Sequence, residues 1–322
     1  MVDRPSWRRA ARATGLAAIL LLLPSTPPPL SDPQSPRITV VLSRDIAPYR
    51  RALAGFRKAL RSAHPAPTIE VIDLAASESA FGEISASTSL RSSRLIVAIG
   101  ARAALAMKGR HASVPILLAG ASGPEIEGVL RSGPGRIFGV GLQIPIDRQF
   151  ETLKQVVPAA RRVGVLHGRD NRAEIKRAHA AAGRHGLTLV PVEIASIKEI
   201  PDALTDLLGR VDVLWALPDA TIFSAEMAPY IILQTLRERV PFMSFSQNFV
   251  KAGSLLSLYC DLEDVGMQAG QMALQVMRNG NALPAGMVPP RTVRLALNLR
   301  VAHVIGVTIP DVVRKSADVI YE

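Results

Sequence analysis

The chain has 322 residues, 48% of them apolar and 4% aromatic, a length that suits two domains of ordinary size rather than one core. Its one cysteine, Cys260, excludes an intramolecular disulfide framework and a cysteine-built metal site, and its six histidines keep none of the spacings of a zinc motif. The formal charge of +11 is spread along the chain as scattered Arg and Lys with no interleaved aromatics, which argues against a nucleic-acid surface.

Residues 1–30 read as a targeting segment with a Pro-rich linker rather than as part of a fold. Arg4, Arg8, Arg9 and Arg12 precede the apolar run Gly15–Leu23, and the Pro-rich stretch that follows breaks any helix. The apolar run falls well short of the ~20 residues that span a bilayer, so the expectation is export to the periplasm, with an uncleaved anchor as the alternative.

From Arg37 onward, strands and helices alternate with short turns, the pattern of parallel sheets covered by helices. Ile38–Leu42 is a continuous apolar strand ending in Ser43-Arg44-Asp45. Pro48–Ala63 is helical, with Leu53, Phe56 and Leu60 on one face. Thr68–Asp73 is a strand and Ser77–Leu90 a helix. Arg94–Ile99 is a strand that turns at Gly100-Ala101-Arg102 into an Ala-rich helix. Pro115–Ala119 and Ile137–Leu142 are further strands, the former ending in Gly120-Ala121-Ser122-Gly123-Pro124. The rhythm then restarts: helix Ile146–Val157, strand Arg162–Leu166, helix Asn171–His185, strand Thr188–Glu193, helix Ile200–Leu208, strand Val211–Ala216 and helix Ser224–Arg239. Two strands close together, Pro241–Phe245 and Leu255–Tyr259, flank the polar turn Ser246-Gln247-Asn248 and a brief helix stopped by Gly253. The helix Asp261–Met277, the strand Thr292–Leu297 and the short helix Leu299–Ile305 complete the series. Two βα series of similar size with no long linker describe an α/β chain of two Rossmann-like lobes with parallel sheets.

Small polar residues at the carboxyl ends of these strands are the candidates for ligand contact, because open α/β sheets bind ligands there. Ser43, Gly100, Ala101, Arg102 and Ser122 come from the first series; Asp219, Ser246, Gln247 and Asp261 come from the second. Gly100-Ala101-Arg102 either offers helix N–H groups to a ligand or is a plain turn. Ser122 is a helix cap or a ligand donor, and Asp219 and Asp261 either cap helices or meet a ligand. Arg44 and Asp45 are placed to pair with each other. Trp215, inside an apolar strand, reads as core, and Cys260 as a small buried apolar residue. Catalytic motifs are missing: Pro124 stands where a G-x-S-x-G elbow needs its last glycine, and Gly139-Val140-Gly141 lacks the third glycine of a dinucleotide loop. No cofactor or metal site is expected.

Seven segments in order, Leu95–Ala104, Pro115–Pro124, Phe138–Pro158, Arg162–Leu166, Val211–Asp219, Phe245–Gln268 and Ala296–Pro310, resemble the ABC-transporter substrate-binding proteins of the type I periplasmic-binding fold, the group that includes tryptophan-binding members. The resemblance implies two lobes joined by a three-strand hinge, with crossovers near Gln143–Pro145, Asp261 and Val288–Pro290. Lobe one is then residues 37–143 plus 261–289, and lobe two residues 144–260 plus 290–322. It also implies a non-enzymatic, monomeric receptor that closes on a small polar ligand and delivers it to an ABC permease and its ATPase in the inner membrane. An amino acid, a sugar or another small solute fits. A periplasmic partner of a sensor kinase or chemoreceptor is the alternative. The chain departs from the family's pattern at Arg102, where Pro is usual, and at Gly123 and Gln247, where Asp is usual.

Overall fold

The computed structural model describes residues 35–75, 90, 92–107, 114–121, 126, 129–130, 137–279 and 286–322. The helix expected over Ser77–Leu90 and the turn Ser122–Pro124 fall outside the described residues, apart from Leu90.

The strands form two sheets. The first has the order β11-β5-β4-β3-β1-β2, built from β1 (Arg37–Leu42), β2 (Thr68–Asp73), β3 (Leu95–Ile99), β4 (Ile116–Ala121), β5 (Ile137–Gly141) and β11 (Gly286–Val288). The second has the order β13-β12-β10-β9-β8-β6-β7, built from β6 (Arg162–His167), β7 (Thr188–Glu193), β8 (Val213–Trp215), β9 (Phe242–Ser244), β10 (Leu256–Cys260), β12 (Val293–Asn298) and β13 (Val319–Tyr321). Every pairing is parallel except that of β10 with β12, where Leu256 faces Leu297 and Cys260 faces Val293. The expectation of parallel sheets is therefore corrected at one place. The chain enters β12 from the first sheet, beside the end of β10, and has to run back along it. The three-residue strand β11, inside what reads as a Pro-rich connector, pairs with β5 through Met287 opposite Gly139.

Ten helices are described: α1 (Ala47–Leu60), α2 (Ala101–Ala106), α3 (Ile146–Val156), α4 (Arg172–Arg184), α5 (Ile200–Leu208), α6 (Met227–Arg237), α7 (Gln247–Ala252), α8 (Leu262–Asn279), α9 (Leu299–Ile305) and α10 (Asp311–Ser316). The chain crosses between the sheets three times, after β5, after β10 and after β11. Helix α8 follows the second crossing and returns to the first sheet, where Val265, Ala269, Ala273 and Val276 join the core made by β1, β3, β4 and α1. Helix α3 belongs to the second sheet: Phe150, Leu153 and Val156 pack with Val163, Trp215 and Leu256. Trp215 is 1% exposed and takes the edge of Phe150, with centroids 4.9 Å apart, so its place is the core.

One contact fixes the first lobe more tightly than side-chain burial does. Helices α1 and α8 touch backbone to backbone: a Cβ on Gly266 would lie 1.9 Å from the carbonyl oxygen of Ala52, and one on Gly55 would lie 1.8 Å from that of Glu263. Only glycine permits that approach, and the two helices pack as one unit over the sheet.

Candidate functional site

A cavity of about 510 Å³ lies where the crossovers meet the carboxyl ends of the second sheet's strands. Those ends supply most of its wall. Asp170 and Asn171 follow β6, Leu217 and Pro218 follow β8, Phe245 to Asn248 follow β9, and Leu258 to Cys260 end β10. The first lobe contributes Pro48 and Arg51 from α1, and the crossovers contribute Leu142, Gln143, Ile144 and Leu262.

Local bonding explains why these turns stand as they do. Asp219 accepts from the Gly168 N–H and the Asn171 amide through Oδ2, both at 2.9 Å, and from the N–H groups of Thr221 and Ile222 through Oδ1. Its carboxylate thus ties the turn after β8 to the turn after β6, and Asn171 is held at the cavity wall by it. The helix expected from Ser224 is preceded by a run of turns over residues 221–226, and α6 starts only at Met227. Phe245 is propped by Phe249 and Phe223, with ring centroids 5.0 and 5.4 Å away. Gln149 lines the cavity in a fixed orientation, because its Oε1 accepts from Trp215 Nε1 at 2.8 Å and its Nε2 donates to the Ile144 carbonyl at 2.8 Å.

Of the residues singled out from sequence, Ser246 and Gln247 reach the cavity wall. Ser246 precedes α7 in extended conformation but does not cap it, and its hydroxyl makes no hydrogen bond among the described residues. Gln247 Nε2 donates to the Tyr321 hydroxyl at 3.0 Å. Asp261 sits at the second crossover. Its Oδ1 accepts from the N–H groups of Glu263 and Asp264, and its Oδ2 accepts Arg294 Nε and Nη2 at 2.9 and 2.6 Å. Burial works against its charge, but the Arg294 guanidinium and the helix N–H donors outweigh it, and its carboxyl titrates below the usual range. Asp264, hydrogen-bonded by Arg291, is lowered in the same direction. The two pairs bind the second crossover to the third.

Ser43, Gly100, Ala101 and Arg102 lie away from this cavity wall. The Ser43 hydroxyl donates to the Ile99 carbonyl and accepts the Ala103 N–H. A Cβ on Gly100, whose φ is 90°, would meet that hydroxyl at 2.5 Å and the Tyr49 ring at 2.7 Å. The turn is filled by its own neighbours. Asp45 pairs with Arg50 at 3.3 Å rather than with Arg44. Ser122 falls outside the described residues. Cys260 is only partly buried: it lines the cavity, its thiol donates to the Leu142 carbonyl at 3.2 Å, and burial pushes its pKa up to about 12.

Asp170, Asn171, Gln149 and Arg51 are wall residues that the sequence reading passed over. The turn Gly168-Arg169-Asp170-Asn171 follows the first strand of the second series as Ser43-Arg44-Asp45 follows the first strand of the first. The architectural repeat was the signal that marks it.

Two α/β lobes joined by three crossovers, with a cavity at the strand ends beside them, define a two-lobed ligand-binding protein of the periplasmic-binding type. A family model described as "ABC transporter substrate binding protein" matches residues 38–320. The chain belongs to the ABC transporter substrate-binding protein family. The "Tyrosine-binding protein" of Clostridioides difficile (strain R20291) is 25% identical over 189 residues, 57% of this chain and 54% of that relative, so the match spans about half the relative's length. The ligand-free, open structure of a substrate-binding protein with adhesive properties from Clostridium difficile superposes with a TM-score of 0.72 at 18% identity, covering 89% of this chain and 99% of that one. A domain from Streptococcus pneumoniae in complex with L-Trp superposes with a TM-score of 0.65 at 22% identity, over 89% and 99%.

Proposed function

We propose that the chain is the exported solute receptor of an ABC importer, a non-catalytic protein that closes its lobes on a small amphipathic amino acid and presents the closed form to a membrane permease. The observation that carries this reading is the composition of the cavity wall. It joins α1 of the first lobe, the crossovers, and four strand ends of the second lobe around about 510 Å³, within the range of small-molecule sites. Phe245, Leu217, Pro218 and Leu258 offer an apolar surface, and Ser246, Gln247 and Asn171 offer hydrogen-bonding groups. That mixture suits an amino acid with an apolar side chain better than a sugar, which would need polar partners on all sides. The names of the tyrosine-binding and tryptophan-complexed relatives support the same class.

The lobes are taken as residues 37–143 with 261–289 and residues 144–260 with 290–322, hinged at the crossovers. Ligand contacts present only in the closed form shift the hinge equilibrium. Export rests on the basic and then apolar segment over residues 1–30. A thermal-shift screen against amino acids, sugars and organic acids tests the reading. An amino acid at about 100 times its Kd is expected to add roughly 2.7 kcal/mol of stability. Stabilisation by sugars alone, or by none of the panel, contradicts it.

A further inference from the structure

Four charged side chains line the cavity: Arg51, Asp170, Glu174 and Arg177. Glu174 and Arg177 answer each other across one turn of α4, with Arg177 Nε 3.0 Å from Glu174 Oε2. Setting that pair aside leaves one cation, on the first lobe, and one anion, on the second. Asp170 is exposed and, among the described residues, accepts no hydrogen bond and makes no ion pair. Arg51 has a side chain 63% exposed, and its Nη2 makes a long ion pair, at 3.8 Å, with Oδ1 of Asp261, an oxygen that already accepts the Glu263 N–H while Arg294 holds Oδ2. Each lobe therefore offers the cleft one charge, Arg51 held only by a long pair and Asp170 in no ion pair among the described residues, and the two signs are opposite.

We propose that Arg51 and Asp170 are the specificity-determining pair of this site. Arg51 takes a ligand carboxylate and Asp170 a ligand ammonium, so that closure selects a dipolar ion. The proposal rests on the amino-acid reading above and assigns its charge recognition to these residues. A planar guanidinium suits bidentate capture of a carboxylate, and a carboxylate accepts the N–H groups of an ammonium. Closing the lobes takes both groups out of water. A ligand lacking one of the two charges then leaves one protein charge without a partner in the closed cleft, which opposes closure. The two charges sit on different lobes, so only a ligand that carries both of its own bridges them.

The test is isothermal titration of the purified chain, its Arg51→Gln variant and its Asp170→Asn variant with three matched sets. Each set holds one amino acid (L-tyrosine, L-tryptophan or L-leucine), its amide and its deaminated acid. In at least one set, the wild type is expected to bind the amino acid about ten- to a hundredfold more tightly than either truncated analogue. Arg51→Gln should bind the amino acid and its amide alike while still rejecting the deaminated acid. Asp170→Asn should bind the amino acid and the deaminated acid alike while still rejecting the amide. Variants that bind the amino acid as the wild type does overturn the assignment and leave the amino-acid reading standing. Equal weakening of all three members of a set overturns it too, because that is the result of Arg51 and Asp170 latching directly to each other. Binding of none of the three amino acids by the wild type overturns both readings.

Discussion

At the ends of their strands the two lobes build turns of the same kind and leave them in different states. In the first lobe, the turn after β3 is packed shut: Ser43 satisfies Ile99 and Ala103, and Tyr49 lies against Gly100. In the second, the turn after β9 leaves the Ser246 hydroxyl without a hydrogen bond among the described residues and props Phe245 at the cavity wall. The contrast continues beneath the turns. Helices α1 and α8 meet through glycines with no room for a methyl group, whereas a Cβ on Gly183 in α4 would meet nothing within 4 Å. The two lobes divide the work of building the cavity. The second lobe supplies most of the cavity wall, and the first supplies Pro48 and Arg51 from a helix that meets α8 backbone to backbone.

The largest expected effect breaks that backbone contact. Gly266→Leu should destabilise the chain by about 3 kcal/mol or more, read as a lower urea midpoint, because backbone lies where the side chain must go. Its counterpart in the second lobe, Gly183→Ala, should instead stabilise by roughly 0.5–1 kcal/mol, since a helix-interior glycine gains from a methyl group that has space. Next comes the cavity wall of the second lobe. Asp219→Ala removes four hydrogen bonds, two that join the turns after β6 and β8 and two within its own turn, and should cost about 1–3 kcal/mol. Titration of that variant should also show weaker ligand binding, because Asn171 loses its anchor.

Acid unfolding reports on the crossovers. Asp261 and Asp264 have folded pKa values below the unfolded carboxylate value near 3.9, so their contribution is present above that pH and is lost as pH falls through the folded values. Asp261→Asn should therefore flatten the acid limb of the stability curve relative to wild type. A loss confined to stability is expected at Ser43→Ala: about 1 kcal/mol, with ligand affinity unchanged, because its hydroxyl bonds within the first lobe.

Much of this architecture is legible from sequence because continuous apolar strands between short turns leave few alternatives. Ile38–Leu42, Leu95–Ile99 and Arg162–Leu166 were readable for that reason, and helix Ile200–Leu208 came out residue for residue. Strand β11 was not, because three residues among prolines carry no periodic signal and owe their pairing to β5. The antiparallel run of β12 depends on where a crossover re-enters the sheet, which local sequence does not encode. The same limit governs the site. A strand-end residue type shows which chemistry is offered, but Ser43 and Ser246 differ only in what packs against them. Asp219 and Asp261 are both acids at turns, and both accept backbone N–H groups of the residues that follow them.

The most direct test of the central claim, a ligand held at the second lobe's wall of the cavity, uses Trp215. It is buried and bonded through its indole N–H to Gln149, which lines the cavity. In a Trp7→Phe background it is the sole tryptophan. Titration of that variant with L-tyrosine and L-leucine, exciting the indole selectively, should give a saturable emission change for an amino acid the chain binds. Calorimetry should return the same Kd. Calorimetric binding that leaves Trp215 emission unmoved, in both this background and a Gln149→Leu variant of it, would place the ligand elsewhere and contradict the account.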